Sequence, residues 1–321
     1  MKRLPLIALA LLLPLRAFAA ADMSEDGMLR DHLWRQLMGK PKGKRPTVGL
    51  VLSAGSLRAT THVGVISVLE NAGFPIDVVA GTSMGAIIGS LYASGKSGKE
   101  LMELARTFQP SAGINLSAFS LARLILADKL LSSERTQKYI DKAVGGRRFE
   151  ELPKPFACVA MDLYSGESII FREGPLALAV RASMNLPGIF EPVEYRHRYL
   201  VDGGVADYIP IDAARLLGAD WVMASIAETD YTHSKPTNVL ESLEQVIDIR
   251  GSLLSREQRA QANFLIEPPV GDIGLAETDR LQEAVSKGVV TAHDRLPQAM
   301  QSLVLFSMGA LMGDYLQGKA P

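Results

Sequence analysis

Two short apolar runs, each followed by a turn of small residues, constrain the fold of this chain more than any other feature. The first run is Val48–Leu52 and the second covers residues 76–80. Between them lies an amphipathic segment, residues 62–72, which ends at Gly73. A strand, a helix and a second strand in this order form a β-α-β unit, whose two strands are parallel. We therefore predict an α/β fold with a mostly parallel central sheet.

The second apolar run leads into Gly81-Thr82-Ser83-Met84-Gly85, a Gly-X-Ser-X-Gly sequence. Between a strand and a helix, this sequence is typical of a nucleophile elbow, in which a sharp turn exposes a serine hydroxyl and the glycines avoid clashes. The helix that follows supplies free N–H groups and a partial positive charge. The pentapeptide alone fits a glycine-rich turn with a solvated serine equally well. Ser83 is therefore a candidate nucleophile that needs support from the rest of the chain.

A loop of small residues, Ala54-Gly55-Ser56-Leu57-Arg58, directly follows the first predicted strand. The carboxyl ends of parallel strands meet at one edge of the sheet, so the amides of this loop can face the same crevice as Ser83. We predict that backbone N–H groups near Gly55, Ser56 and Met84 hold the oxyanion of an acyl-transfer intermediate. A nucleotide phosphate loop does not fit, because the segment has neither a Gly-X-Gly-X-X-Gly pattern nor a Walker lysine.

Two kinds of general base are compatible with the order of residues along the chain. An α/β-hydrolase places an acid and then a histidine after its serine, and Asp202 followed by His233 or His293 satisfies that order. In that fold, however, the nucleophile follows several strands, whereas Ser83 ends only the second. We favour a Ser–Asp pair formed by Ser83 and Asp202. Asp202-Gly203-Gly204 ends a strand, and its two glycines leave room for the backbone and the substrate to approach the aspartate closely. Asp-Gly is also a common turn sequence.

Two other reactive side chains have structural interpretations. Cys158 is the single cysteine of the chain and lies in the apolar run of residues 156–160. We interpret it as a buried strand residue, and one cysteine excludes an internal disulfide. His62 lies close to the start of the first predicted helix, where we expect it to make a structural hydrogen bond.

The beginning of the chain has the pattern of a secretory signal peptide. Lys2 and Arg3 precede an apolar run over residues 4–15, and Ala17-Phe18-Ala19 resembles a signal-peptidase site. The alternative is an uncleaved anchor, but the run is shorter than the roughly 20 residues of a membrane span. We predict a signal peptide over residues 1–19 and a periplasmic or secreted protein. The formal net charge of −1 argues against nucleic acid as a partner.

The composition divides the remaining chain into three parts. Residues 20–46 form an N-terminal arm and linker, whose basic run over residues 40–45 is either solvated or in contact with anionic lipid. Residues 47–295 form the main domain. Residues 296–321 form an apolar C-terminal extension, with no charged residue between positions 296 and 313. This extension either packs on the domain or makes peripheral contact with a membrane.

Taken together and in order, the motifs of the main domain resemble those of the patatin-like phospholipases. The motifs are residues 52–58, His62-Val63-Gly64-Val65, Gly81-Thr82-Ser83-Met84-Gly85, Ala182-Ser183-Met184 with residues 187–190, and Asp202-Gly203-Gly204. The resemblance covers about residues 47–295. It implies a three-layer sandwich around a mostly parallel sheet, Ser83 as nucleophile and Asp202 as general base. It further implies hydrolysis of acyl esters of lipids or phospholipids through an acyl-enzyme, without a metal or other cofactor.

The chain departs from the family in the oxyanion loop. The usual pattern is Gly-Gly-Gly-X-Arg-Gly, and this chain has Ala54-Gly55-Ser56-Leu57-Arg58-Ala59. Ser56 and Ala59 thus stand where the family has glycines suited to positive φ, and such strain costs about 1 to 3 kcal/mol. Arg58 is expected to order the loop or to hold a phosphate. Three hypotheses follow: a serine acyl hydrolase, a weak or inactive lipid-binding relative, and a histidine-assisted esterase or acyltransferase.

Overall fold

The computed structural model describes residues 24–107, 130–230, 236, 239–274 and 277–316. The predicted signal peptide, residues 1–19, and His233 lie outside these residues. The strands are β1 (Val48–Leu52), β2 (Val78–Thr82), β3 (Phe156–Asp162), β4 (Ser168–Phe171), β5 (Val193–Tyr195), β6 (Arg198–Asp202), β7 (Trp221–Ser225) and β8 (Phe264–Ile266). The α-helices are α1 (Glu25–Met38), α2 (Thr61–Asn71), α3 (Met84–Ala93), α4 (Gly98–Thr107), α5 (Glu134–Val144), α6 (Leu176–Met184), α7 (Ile211–Leu216), α8 (Val239–Gln258), α9 (Leu281–Phe306) and α10 (Met308–Leu316).

These eight strands form one sheet in the order β5-β6-β3-β2-β1-β7-β8, with β4 paired to β3. The pairs β1–β2, β1–β7, β2–β3 and β7–β8 are parallel. The pairs that β4, β5 and β6 make are antiparallel. The sequence-based expectation of an α/β fold with a mostly parallel central sheet is therefore confirmed.

Helices cover both faces of the sheet, because consecutive residues of its buried strands point to opposite sides. Leu50 and Leu52 belong to the larger apolar cluster, which includes residues of α1, α2, α3, α6 and α9. Val51, between them, belongs to a second cluster that includes α7 and the aromatic ring of Tyr208. Strand β1 is buried along its whole length, as expected for a central strand between two helical layers.

The terminal helices pack on the main domain. In α1, Leu37 is fully buried and the Trp34 ring lies 5.3 Å from that of Phe74. Helix α9 runs without a break through position 295, so the boundary predicted between residues 295 and 296 lies inside a helix. Beyond it, Leu303 and Leu311 are buried, whereas Leu305, Phe306 and Met312 are exposed. None of the helices in the described residues is long and apolar enough to cross a bilayer.

Candidate active site

Ser83 and Asp202 meet because two strands occupy successive positions along the same edge of β3. Strand β2 ends with Thr82 beside Val159, and Asp202 of β6 lies beside the next residue, Ala160. Strand β4 pairs with the opposite edge of β3 at these positions, which leaves one edge for both β2 and β6. The carboxyl end of β2 therefore abuts the carboxyl end of β6, although 119 residues separate the two side chains.

The carboxylate of Asp202 accepts two hydrogen bonds in a buried setting. The Ser83 hydroxyl donates to Oδ2 at 2.6 Å, and the Gly204 N–H donates to Oδ1 at 2.7 Å. Asp202 is 2% exposed and Ser83 is 8% exposed. Burial raises the pKa of Asp202 to about 6, and the two hydrogen bonds act in the opposite direction. At neutral pH, a carboxylate with this pKa is mainly ionised and ready to accept the serine proton.

The backbone at Ser83 has the strained turn of a nucleophile elbow. Ser83 has φ 57° and ψ −124°, a region that side chains rarely adopt, and α3 begins at the next residue. A Cβ at Gly81 would lie 2.3 Å from the carbonyl oxygen of Gly85, and one at Gly85 would lie 2.3 Å from that of Leu52. Both glycines are thus needed, because backbone passes where side chains would lie.

Ser183 holds the elbow from the side of α6. Its hydroxyl accepts a hydrogen bond from the Ser83 N–H at 3.0 Å and donates one to the carbonyl of Val159 at 2.6 Å. Ser183 is fully buried. In the sequence this residue belongs to the Ala182-Ser183-Met184 motif, which predicts no role for it. The structure places it as a bridge between the elbow and β3.

The loop after β1 brings the predicted oxyanion donors next to the elbow. Ser53, at the start of the loop, lies against α3, since a Cβ at Gly85 would meet the Ser53 carbonyl at 2.6 Å. Ala54 lies against the glycines after Asp202, since a Cβ at Gly204 would meet Ala54 Cβ at 2.9 Å. Within the described part of the chain, the amides of Gly55, Ser56 and Met84 have no hydrogen-bond acceptor. Three free donors therefore remain beside the Ser–Asp pair.

Three glycines of the family pattern are replaced in this loop, and only the replacement at Ser56 has a strained backbone. Ser56 has φ 49°, in the left-handed region that favours glycine. Ala59, further along the 3₁₀ helix Ser56–Thr60, has a negative φ, so the expectation of a positive φ there is wrong. Position 55 has φ 148° and retains glycine, which it requires because a Cβ there would lie 2.5 Å from the Ala227 carbonyl.

Arg58 ties the oxyanion loop to helix α8. Its guanidinium is 1% exposed and donates to Asp248 Oδ1 at 2.7 Å and to the carbonyl of Ile273 at 3.1 Å. Among the described residues, its Nε has no acceptor. A side chain so enclosed is placed to order the loop rather than to bind a phosphate at the surface.

Helix α8 also holds the chain that follows Asp202. Gln258 donates to Asp207 Oδ1 at 2.7 Å and accepts from the Ile209 N–H at 2.9 Å. Arg250 donates to the carbonyl of Val205 at 3.3 Å. Through these contacts and the Arg58–Asp248 ion pair, one helix braces both the oxyanion loop and the segment of the candidate base. These positioning residues were not predicted from the sequence, because no local pattern identifies them.

The other reactive side chains lie in structural positions. His62 is fully buried between the Ser225 hydroxyl at 2.8 Å and the carbonyl of Ser53 at 3.1 Å, which confirms a structural role. Burial lowers its pKa to about 4, so it is neutral at pH 7. His293 is exposed on α9 and lies 3.5 Å from Asp294. Cys158 is buried in β3 as predicted, and burial raises the pKa of its thiol.

A family model described as patatin-like phospholipase matches residues 50–215, more than half of the 321-residue chain. The chain belongs to this family. An uncharacterised NTE family protein of Mycobacterium bovis is 36% identical over 181 residues, which cover 56% of this chain and 48% of that protein. Patatin-like phospholipase domain-containing protein 6 of Mus musculus is 33% identical over 180 residues, 56% of this chain and 13% of that protein. The chain thus matches about half the length of the mycobacterial relative.

Solved structures provide more distant matches. VipD from Legionella pneumophila matches with a TM-score of 0.44 and 15% identity, over 81% of this chain and 67% of that one. Human GIVD cytosolic phospholipase A2, in complex with a fluorophosphonate inhibitor, matches with a TM-score of 0.42 and 14% identity, over 87% of this chain and 62% of that one. The assignment to the family rests on the sequence match.

Proposed function

We propose that the protein is a serine acyl hydrolase that cleaves acyl esters of lipids, including phospholipids. The observation that carries this proposal is the 2.6 Å hydrogen bond from the Ser83 hydroxyl to Asp202. It joins a nucleophile in a strained elbow to a buried base, and free amides lie beside both. Membership of the patatin-like phospholipase family supports a lipid ester as the substrate.

The proposed reaction proceeds in two halves. Asp202 accepts the hydroxyl proton as Ser83 Oγ attacks the ester carbonyl, and the amides of Gly55, Ser56 and Met84 stabilise the oxyanion. Collapse of the tetrahedral intermediate breaks the ester bond, and the proton on Asp202 passes to the departing alcohol. Water then attacks the acyl-enzyme, again giving its proton to Asp202. Release of the fatty acid returns that proton to Ser83.

The surroundings of Asp202 favour a base that works without a histidine. Its pKa near 6 brings the carboxylate closer to the basicity of an imidazole than an exposed aspartate would be. His62 is enclosed by its two hydrogen bonds, and the candidate His293 lies at the surface of α9. The histidine-assisted alternative therefore depends on His233, which lies outside the described residues.

A second candidate function is a lipid-binding protein with little or no turnover. The left-handed backbone at Ser56 favours it, since the strain bears on a loop that supplies oxyanion donors. Loss of one such donor lowers the rate by about 10²- to 10³-fold. The retained Ser83–Asp202 pair favours the hydrolase.

We further propose that the protein is exported from the cytoplasm. The signal-peptide pattern of residues 1–19 supports a periplasmic or secreted hydrolase that meets its lipid outside the cytoplasm. The weakly negative net charge supports lipid rather than nucleic acid as the partner.

Fatty-acid release from defined lipids by the wild type and by Ser83→Ala tests this function. Wild type should release fatty acid and should be labelled by a fluorophosphonate, whereas Ser83→Ala should do neither. Ser165→Ala, which alters a serine in the β3–β4 turn, serves as the matched control and should retain both properties. Labelling of Ser83 without hydrolysis of any ester would favour the second candidate. Absence of both in the folded wild type would reject the hydrolase.

A further inference from the structure

Three large side chains next to each other remain exposed at the edge of the sheet. Leu163 is 45% exposed, Tyr164 is 80% exposed and Tyr199 is 37% exposed. Leu163 and Tyr164 begin the turn between β3 and β4, and Tyr199 lies in β6. Contiguous apolar side chains at a protein surface commonly mark a contact site. We refer to Leu163, Tyr164 and Tyr199 as the tyrosine patch.

The tyrosine patch lies at the carboxyl end of β3, near the level at which β2 and β6 meet. Strand β3 continues beyond the level of Thr82, which pairs with Val159, and ends at Asp162, directly before Leu163. The Leu163 N–H donates to the Tyr199 carbonyl at 2.8 Å, which fixes the patch across the two strands. Tyr199 precedes Asp202 by three residues, a rise of roughly 10 Å along a strand. The patch therefore lies at the same end of the sheet as Ser83.

The patch is organised before any partner binds. The rings of Tyr164 and Tyr199 meet edge to face, with centroids 5.2 Å apart and an interplanar angle of 75°. Arg198 Nη1 donates to Asp162 at 3.0 Å and to Glu167 at 2.7 Å, and so ties β6 to the β3–β4 turn. An ordered aromatic surface loses little conformational entropy on binding.

The charges around the patch favour an uncharged or zwitterionic partner. Arg198 is neutralised by its two acidic neighbours. Near the ends of the adjoining strands, exposed Arg172 is next to Glu173 and exposed Arg196 is two residues from Glu194, so these formal charges balance. A surface without excess positive charge gains little from anionic lipid. Tyrosine, with an apolar ring and a polar hydroxyl, suits the headgroup region of a membrane.

We propose that the tyrosine patch docks onto a zwitterionic lipid surface and thereby brings Ser83 to its acyl ester. This inference rests on the proposed function and names the surface from which the substrate is taken. Tyr164 and Tyr199 place their rings at the level of the lipid headgroups, and the contact is mainly apolar. Binding is consequently insensitive to salt.

Co-sedimentation with phosphatidylcholine vesicles tests the proposal on the full chain. Wild type should bind, and the double variant Tyr164→Ser/Tyr199→Ser should bind at least about fivefold more weakly, since affinity follows the apolar area inserted. Tyr139→Ser removes a tyrosine of comparable exposure, 41%, from α5 and should bind like wild type. Raising the salt from about 0.1 to about 1 M shortens the Debye length from about 10 to about 3 Å and should leave binding unchanged.

Two further measurements separate docking from chemistry and from misfolding. Hydrolysis of p-nitrophenyl butyrate, a soluble ester, should be equal in wild type and the double variant. Tyr164→Trp changes only the turn residue, and its added fluorescence should shift to the blue when phosphatidylcholine vesicles are added.

Docking by the patch is overturned if wild type does not bind phosphatidylcholine, if the double variant binds as tightly as wild type, or if binding requires anionic lipid and disappears at high salt. Tyrosine-dependent binding by a protein that cleaves no ester would leave docking intact and reject the proposed hydrolase.

Discussion

The two oxygens of Asp202 have different partners: Oδ2 accepts the Ser83 hydroxyl at 2.6 Å and Oδ1 accepts the Gly204 N–H at 2.7 Å. The backbone bond fixes the carboxylate plane, so the free lone pairs of Oδ2 stay directed at the serine. The two glycines after Asp202 make this arrangement feasible, because a Cβ at Gly203 would lie 2.3 Å from the Val159 carbonyl. The geometry thus links the Asp-Gly-Gly motif directly to the proposed base.

Replacing Asp202 by asparagine should remove the proton acceptor while preserving the shape of the site. We expect kcat for a soluble ester to fall by about 10²- to 10⁴-fold, the usual contribution of a general base. Asp207→Asn is the matched control: Asp207 is also a buried aspartate, and the amide oxygen can still accept from Gln258. Its kcat should change less than tenfold. Equal rates for wild type and Asp202→Asn would refute the proposed base.

The rate of ester hydrolysis should depend on pH through Asp202. Only the carboxylate accepts the serine proton, and burial places the pKa of this group near 6. We expect kcat/KM for a soluble ester to rise with pH through an apparent pKa near 6 and then to level off. A profile that is flat between about pH 5 and pH 8 would contradict this assignment.

The same raised pKa should make Asp202 destabilising at neutral pH. The folded state holds the proton more tightly than the unfolded chain, whose pKa is near 3.8, so stability is lost as the pH rises from about 4 to about 6. A shift of about two pKa units corresponds to roughly 3 kcal/mol. Asp202→Asn should therefore be more stable than wild type at pH 7, with a smaller difference at pH 4. Denaturant unfolding at the two pH values measures this gap, and a gap that widens at pH 4 would have the wrong sign.

Restoring glycine at position 56 should stabilise the oxyanion loop. Ser56 has φ 49°, and Ser56→Gly should relieve strain of about 1 kcal/mol without weakening ester hydrolysis. Ala59→Gly should have the opposite effect, because Ala59 lies inside the 3₁₀ helix with a negative φ. This variant should lose about 1 kcal/mol of its free energy of unfolding. The free energy of unfolding measures both changes. The interpretation of the loop fails if Ser56→Gly is the less stable of the two.

Removing Asp248 should disturb the oxyanion loop from a distance. Asp248→Ala leaves the buried guanidinium of Arg58 without its charged partner, at a cost of about 3 to 5 kcal/mol. We expect kcat for a soluble ester to fall while KM changes little, because the loop contributes mainly to the transition state. Asp248→Glu should recover part of kcat. Glu257→Ala, an exposed position on the same helix, should behave like wild type, and similar losses there would indicate general damage to α8.

Local patterns identified most strands of the sheet but not the full set. The runs at β1, β4 and β8 predict their strands with the observed bounds. Strand β5 has only three residues, too few to predict a strand from the sequence, and it forms by pairing with β6. Likewise, the boundary expected between residues 295 and 296 lies inside α9, since the buried residues of this helix find partners that only the folded chain supplies.

The sequence by itself determined the parallel sheet, the elbow at Ser83 and the Asp-Gly-Gly turn, because apolar periodicity and glycine placement are local properties of a chain. Only the tertiary structure decided that Ser83 and Asp202 share a hydrogen bond. That contact depends on two strands that end at adjacent positions along one edge of β3. The tertiary structure also showed that Ser56, but not Ala59, has a strained backbone, and that Asp248 neutralises Arg58. Register, backbone angles and burial arise from packing between distant segments, which no local pattern encodes.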